Sequence, residues 1–384
     1  MWTAEDLRMV LRRGEDSRHQ FKQNLHNATS LAGELVAFAN GAGGYLILGV
    51  ADDGTVTGLR AEDVRRLNQL LASTATDMVR PAISIQTENI ELDGLLVMVV
   101  SIPAGISPPY SDHQGVWWVK QGSDKRRVTA REELRRMFQA GKLVMADEVP
   151  IASATLDDLD RYALGEYLQA VYEQDLPTSD QALRQLLISL RLWIDQAPTL
   201  AGLLLFGKSP QTFFPHLVVK GVSFFGDDMT GSEYRDSEDM RGALLRLYHG
   251  SMAFLTRNLR KLQNGQGFNS GGIMEVPRQA LEELVQNALI HRDYFVPAPV
   301  RLLIFDHRIE IISPGALPNS LTVEQIKQGI SLLRNPTLAN RAFRLLPYRG
   351  LGSGIPRAMH LVPDLQLINQ PDLNQFKAII PRPT

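Results

Sequence analysis

Three polar side chains, Glu283, Asn287 and His291, recur every four residues around the run Ala280 to Leu289. That spacing sets them on one face of a helix whose other positions, Leu281, Leu284, Val285 and Ala288, are apolar. A polar stripe on an otherwise buried helix has two readings. In one it is a solvated face carrying helix-stabilising pairs. In the other it serves a magnesium nucleotide: the amide oxygen of Asn287 coordinates Mg²⁺, and the carboxylate of Glu283, one turn earlier, positions and deprotonates the attacking water as a general base. The chain has no cysteine, which excludes disulfides, thiolate zinc sites and cysteine nucleophiles. Any chemistry must come from oxygen and nitrogen groups such as these.

Two other strings imitate catalytic motifs. Gly202-Leu203-Leu204-Leu205-Phe206-Gly207-Lys208-Ser209 matches the phosphate-loop pattern letter for letter. A phosphate loop needs exposed, flexible backbone that opens directly into a helix, whereas this one is filled with Leu-Leu-Leu-Phe and followed by Pro210. The segment is therefore expected to be a buried strand ending in a turn. His291-Arg292-Asp293 imitates the protein-kinase triplet, but Ala298 stands where that chemistry needs Asn, and the metal-binding Asp-Phe-Gly is missing. His291 and Asp293 are expected instead to shape a nucleotide or dimer surface.

The elements that must position these residues follow from the bulk pattern. At 384 residues the chain exceeds one ordinary core, and three domains are expected. With 44% hydrophobic and 21% charged residues a packed core is available, and a net charge of -2 still allows a local basic patch. The longest apolar runs, such as Leu95 to Val100, are strand-sized, far below the roughly 20 residues that cross a bilayer. Met1 to Asp6 has an acidic first turn and no apolar signal core. A cytoplasmic protein without membrane contact is expected. Thr3 with Asp6 reads as a helix start and Gly14 as its stop; Ser30 can cap the next helix. A buried strand follows over Tyr45 to Val50, and helix and strand alternate to about residue 140. Leu143 to Leu156, broken by Pro150, reads as a linker. Beyond it come helices over Asp157 to Tyr172 and Asp180 to Leu190, strands over Leu203 to Phe206 and Val218 to Phe225, and a helix over Asp239 to Leu259. Gln263 to Gly272 reads as a flexible connection. The expected boundaries are 1–147, 148–270 and 271–384.

Glu283-Leu284-Val285-Gln286-Asn287-Ala288 resembles the first motif of the GHKL fold, shared by gyrase-type, chaperone and histidine-kinase ATP-binding domains. Gly350-Leu351-Gly352-Ser353-Gly354-Ile355 resembles the glycine-rich motif of the kinase branch, in which backbone approaches phosphates. The resemblance implies an ATP and Mg²⁺ site built from Glu283, Asn287 and His291, the glycines Gly350, Gly352 and Gly354, and Ser313 with Gly315. Ser313 stands where the family carries an adenine-reading aspartate, in Ser313-Pro314-Gly315. A serine hydroxyl accepts more weakly than a carboxylate, which points to nucleotide binding with at most weak ATPase turnover. Asn287 to Tyr294, Ser313-Pro314-Gly315, Arg334-Asn335-Pro336 and Thr199 to Lys208 together resemble a narrower bacterial group, described as transcriptional regulators or RecG-helicase-related ATP-binding proteins. Nothing matches helicase motor motifs.

Glu15 to Lys22, Leu35 to Asn40 and Gly43 to Gly54 resemble the Schlafen AlbA-type domain over roughly residues 10 to 140. Members bind nucleic acid, and some cut RNA with a metal held by two glutamates and an aspartate. Matching them places Glu15, Gln20 and Asp52 at those positions, as a vestigial metal site. An amide brings no charge, so Gln20 argues against a nuclease and for DNA or RNA binding. Glu15 also reads as a surface partner of Lys22 or Arg18. Lys22, Lys120, Lys125, Arg126, Arg127 and Arg135, near Trp117 and Trp118, form the candidate phosphate-contacting patch, with a solvated helix face as the alternative. The expected whole is an α/β (α+β) protein: an AlbA-type domain, a mixed central connector and a GHKL-like α/β sandwich. A homodimeric nucleic-acid-binding regulator responding to ATP is the expected function, with a metal-dependent RNase or DNase using Glu15 and Asp52 as the alternative and a bare assembly scaffold as a third.

Overall fold

The computed structural model describes residues 2–141, 143–231, 233–262, 272–318, 321–347 and 352–383. The chain forms two compact units, Met1–Val144 and Met145–Thr384. Both mix helix and sheet in an α+β arrangement.

In the first unit α1 (Ala4–Arg13) starts at the Thr3 and Asp6 capping box and stops at Gly14. β1 (His19–Lys22) leads to α2 (Ala28–Ala39), β2 (Gly44–Leu48) and α3 (Ala61–Asp77). The cap of α2 is Asn27, whose side chain accepts the amide of Ser30, so the helix begins earlier than Ser30 would place it. β3 (Gln86–Leu92) and β4 (Leu95–Ile102) complete a four-stranded sheet in the order β1-β2-β4-β3, in which only the β1–β2 pair is parallel. Strand alternation divides the core. Leu46 and Leu48 pack with Met98, Val100 and the α2 side chains Leu35 and Phe38. Ile47, Val97 and Val99 pack on the other face with Leu7 of α1 and Phe21. A hairpin of β5 (Trp118–Gln121) and β6 (Asp124–Arg127) precedes α4 (Arg131–Ala140).

The second unit opens with a 3₁₀ turn, Ala146–Glu148, followed by α5 (Arg161–Tyr172), α6 (Asp180–Ser189) and α7 (Leu200–Phe206). The expected strand over Leu203 to Phe206 is therefore a helix. A short apolar run with no periodicity fits either state when it is wholly buried, and here the Thr199 hydroxyl caps it by accepting the Gly202 amide. Every residue of α7 is buried, and Lys208 donates to the Asp157 carbonyl. The segment is thus no phosphate loop, though the reason is a helix rather than a strand.

β7 (Val219–Phe224), β8 (Tyr234–Met240) and α8 (Leu244–Asn258) follow, so the expected helix over Asp239 to Leu259 begins later than its polar start implied. Then come α9 (Arg278–Ile290), β9 (Val300–Ile304), β10 (Arg308–Pro314), α10 (Val323–Lys327), α11 (Pro336–Ala342), α12 (Gly354–Leu361), β11 (Gln366–Gln370) and β12 (Gln375–Pro381). One six-stranded sheet runs β8-β7-β9-β10-β12-β11. β7 pairs in parallel with β9, Val219 opposite Val300. Where the sequence reading separates a connector from the last domain, the structure joins them. One hydrophobic cluster includes Leu156, Leu168, Leu204, Phe254, Leu281, Leu302 and Ile380. The physical reason is the edge of β9, whose backbone donors and acceptors need a partner strand that only the connector supplies. The 3₁₀ turn is fastened to α11: Asp147 Oδ2 accepts the Leu338 amide at 2.8 Å, and Glu148 Oε1 accepts the Thr337 hydroxyl at 2.7 Å.

Candidate functional site

α9 is held by α8, α12 and β10 through Leu281, Leu284, Val285 and Ala288. Its fourfold spacing leaves Glu283, Asn287 and His291 facing a cavity that is also lined by Ser313, Gly315, Arg334, Gly352, Gly354 and Arg357. The structure thus gathers the predicted residues of the last domain in one place. Gly350 lies outside the described residues. Ile311, Ile326, Ile330 and Phe376 give the cavity an apolar wall.

Each polar group has a definite state. Glu283 is not free: its Oε1 accepts Nε of Arg357 at 2.9 Å and Nη2 at 2.5 Å, while Nη1 of the same guanidinium donates to the Ser353 hydroxyl at 2.8 Å. Gly354 presses against this pair. A Cβ there would lie 2.5 Å from Glu283 Oε2 and 3.2 Å from Asn287 Nδ2, so only glycine lets the turn approach α9 this closely. Asn287 Nδ2 is buried and has no hydrogen-bond partner among the described residues. His291 caps the C-terminal end of α9; burial and then the charge of Arg334 push its pKa down to about 4, so the imidazole is neutral at physiological pH.

Ser313 is buried in β10, and its hydroxyl donates to the Ala288 carbonyl at 3.1 Å. Gly315, at φ +98°, turns the chain off β10, and a Cβ there would meet Arg334 Nη1 at 2.5 Å. Arg334 donates to the Ala316 carbonyl at 2.7 Å, and burial holds its pKa below the ordinary arginine value. Asn335 Nδ2 donates to the carbonyls of Ile290 and Arg292, closing the end of α9. Arg292 is buried over the Tyr294 ring and donates to the Ala298 carbonyl, a packing role that accounts for the kinase-like triplet. Arg357 is the residue that sequence reasoning missed. Its signal was available, as the cation four positions after Ser353 on the helix that leaves the glycine turn.

The first unit distributes its predicted residues differently. Glu15 Oε1 accepts the Phe21 amide at 2.7 Å, Asp52 pairs with Lys22 at 3.2 Å on the surface, and Gln20 is buried with its Oε1 accepting Lys120 Nζ at 3.0 Å. Among the described residues no three His, Asp or Glu side chains gather as metal ligands. Glu15 is thus bonded to backbone rather than to Lys22 or Arg18 as the surface reading expected.

Lys120 is no surface phosphate contact. Its side chain is only 5% exposed; it also donates to the Ser123 carbonyl, lies 3.7 Å from Glu34 and sits over the Phe38 ring. Burial lowers its pKa against the opposing pull of Glu34. Lys125 pairs with Glu34 at 2.8 Å, and both guanidinium ends of Arg126 pair with Glu133. The predicted basic patch is largely neutralised from within, because its acidic partner Glu34 lies 91 residues before Lys125, beyond the reach of local charge counting. Arg127 differs: it is exposed and stacks on Trp118, 5.2 Å from the ring centroid. Arg135 is half-buried on α4.

A two-unit α+β chain with a polar helix face over a glycine-bounded cavity is the class defined by this geometry. Residues 15–129 match the family model Schlafen, AlbA_2, and residues 298–377 match the model described as "Putative ATP-dependent DNA helicase recG C-terminal". Residues 135–220 match a domain of unknown function. The chain therefore carries a Schlafen AlbA_2 domain at its N-terminus and a RecG-related ATPase-like domain at its C-terminus. No curated protein matches. Among solved structures, the DIP2311 protein from Corynebacterium diphtheriae is similar at 20% identity over 98% of this chain and 79% of that chain, with a TM-score of 0.48. The N-terminal domain of a "Putative ATP-dependent DNA Helicase RecG-related Protein" from Nitrosomonas europaea is similar at 24% identity over 34% of this chain and 97% of that chain, with a TM-score of 0.24. Among the described residues no helix is long and apolar enough to cross a membrane.

Proposed function

We propose that the cavity beneath α9 binds an adenine nucleotide with Mg²⁺, and that its occupancy governs the hold of the N-terminal domain on DNA or RNA in a homodimeric GHKL-type regulator of transcription or defence. The observation that carries this reading is the amide of Asn287, left without a partner among the described residues while Glu283, Ser313 and Arg334 around it are all engaged. A buried amide normally finds partners, so one that the described residues leave unsatisfied beside a cavity is a place where a ligand atom fits. Its oxygen and nitrogen exchange places by a simple flip, and either orientation presents one of them to the cavity. Asn287 would supply one oxygen ligand to Mg²⁺, with phosphates and water supplying the rest, as suits a cation that keeps most of its own shell. Bound there, Mg²⁺ would neutralise phosphate charge.

The other residues supply recognition. Because the proton of Ser313 is engaged with Ala288, its oxygen offers only lone pairs to a ligand. It can accept from the exocyclic amine of adenine and has nothing to donate to the carbonyl of guanine. In this structure Glu283 is occupied by Arg357 and so is not a free base. In the N-terminal domain an ammonium, Lys120, already meets Gln20 and Glu34, which favours holding nucleic acid over cutting it.

Thermal melting with ATP or ADP and Mg²⁺ tests the reading. A ligand present at 100 times its Kd stabilises by about 2.7 kcal/mol. Wild type should melt higher with nucleotide and Mg²⁺, and Asn287→Ala should lose the Mg²⁺-dependent part. No shift at millimolar nucleotide would refute it.

A further inference from the structure

The Glu283–Arg357 pair combines two groups that a nucleotide would need separately. Arg357 places two donors on one carboxylate oxygen and its third nitrogen on Ser353, while Glu283 is largely enclosed, 13% exposed against 43% for Arg357. Joined, each disables the other. The guanidinium is neutralised as an anion site, and the carboxylate, with two N–H donors on one of its oxygens, is a weaker base. A polyphosphate entering this cavity would meet Glu283 as a like charge unless a cation moved between them.

We propose that Arg357 is a phosphate-binding residue held in reserve by Glu283: a nucleoside polyphosphate takes the guanidinium from the carboxylate, and that exchange both anchors the phosphates and frees Glu283 beside Asn287. This deepens the nucleotide reading and rests on it. The polyphosphate wins the exchange because it offers more acceptor oxygens and more negative charge than one carboxylate, in a fork geometry that guanidinium matches. Arg357 is well placed for this, being the more exposed partner and rooted in the first turn of α12, three residues after Gly354. A nucleoside without phosphates leaves the pair intact. The preference for ATP over adenosine should therefore reside in Arg357.

Titration calorimetry on the full chain, with ATP, ADP and adenosine in Mg²⁺, tests the proposal. Arg357→Ala should weaken ATP and ADP roughly 10- to 100-fold, the value of one charged hydrogen-bonding group, and leave adenosine unchanged. Arg357→Lys should restore part of the loss. Glu283→Gln should tighten ATP, because the competitor for Arg357 loses its charge; this variant remains informative if Arg357→Ala does not fold. ATP binding to Arg357→Ala at wild-type strength, adenosine weakened as much as ATP, or ATP affinity unchanged in Glu283→Gln would each overturn the proposal while the nucleotide reading stands. If wild type binds neither ATP nor adenosine, the nucleotide reading falls and takes this proposal with it.

Discussion

Replacing Asp147 by Asn should make the second unit more stable at neutral pH, and the size of the effect follows from the site. Asp147 is fully buried in the turn that fastens to α11; Oδ2 accepts the Leu338 amide, and Oδ1 has no hydrogen-bond partner among the described residues. Burial first, and the neighbouring charge of Glu148 after it, push its pKa up to about 6 from the ordinary 3.8. The folded state thus holds this proton more tightly than the unfolded chain. Its stabilising contribution is complete below pH 3.8 and is lost as pH rises through about 6, beyond which the buried charge opposes folding. At 1.36 kcal/mol per pH unit of difference, the loss is about 3 kcal/mol. Asn keeps an oxygen for the Leu338 amide and carries no charge. Urea unfolding of wild type and Asp147→Asn from pH 4 to 7.5 should therefore show the variant gaining on wild type by about that amount, whatever constant offset the new amide adds. His291, pushed down to about 4, gives both proteins an opposite slope, with stability lost as pH falls from 6.5, and this cancels in the difference. A stability difference that is flat across the range would refute the reasoning.

Two further outcomes test other parts of the structure. A fragment of residues 271–384 should fail to melt cooperatively, whereas 145–384 should do so, because the shorter piece strips β7 from β9 and removes half of a shared core; cooperative melting of 271–384 by circular dichroism would show that the connector is dispensable. Arg127→Ala should lower the salt slope of single-stranded oligonucleotide binding by about one, as loss of one phosphate contact does, while Lys120→Ala should change the fold of its unit rather than this slope; anisotropy titrations across salt concentrations distinguish the two.

The α9 face was legible because everything it needs is local: three polar residues at one helical spacing and an apolar stripe to bury the rest. Arg357 was legible only as a cation beside the glycine turn; its pairing, with a carboxylate 74 residues away, was not. The same limit explains Lys120, which looked like a surface cation until the fold brought Gln20, 100 residues distant, and Glu34 against it. Leu203 to Phe206 failed for another reason. A wholly apolar run has no contrast from which to read a period, and the capping role of Thr199 was the one cue that distinguished helix from strand. Ser313 lines the cavity, but its hydrogen bond to Ala288, which fixes what it can offer a ligand, belongs to the packing of β10 on α9 and could not be read from the sequence.

The parallel joint between β7 and β9 also sets an order of events during synthesis. The AlbA_2 unit can complete itself once Val144 has left the ribosome, since its sheet and both cores draw only on earlier residues. The second unit cannot. β7 must wait for β9 to be made, and β10 must wait for β12 at Gln375–Pro381, so the edges of a half-built sheet stay uncovered through the synthesis of more than the last hundred residues. Such edges recruit other strands, and that interval is when this chain most needs a chaperone or slow translation. The cavity under α9 comes into being only at the close of that process, so a ribosome-stalled or truncated chain would present a finished AlbA_2 unit without that cavity.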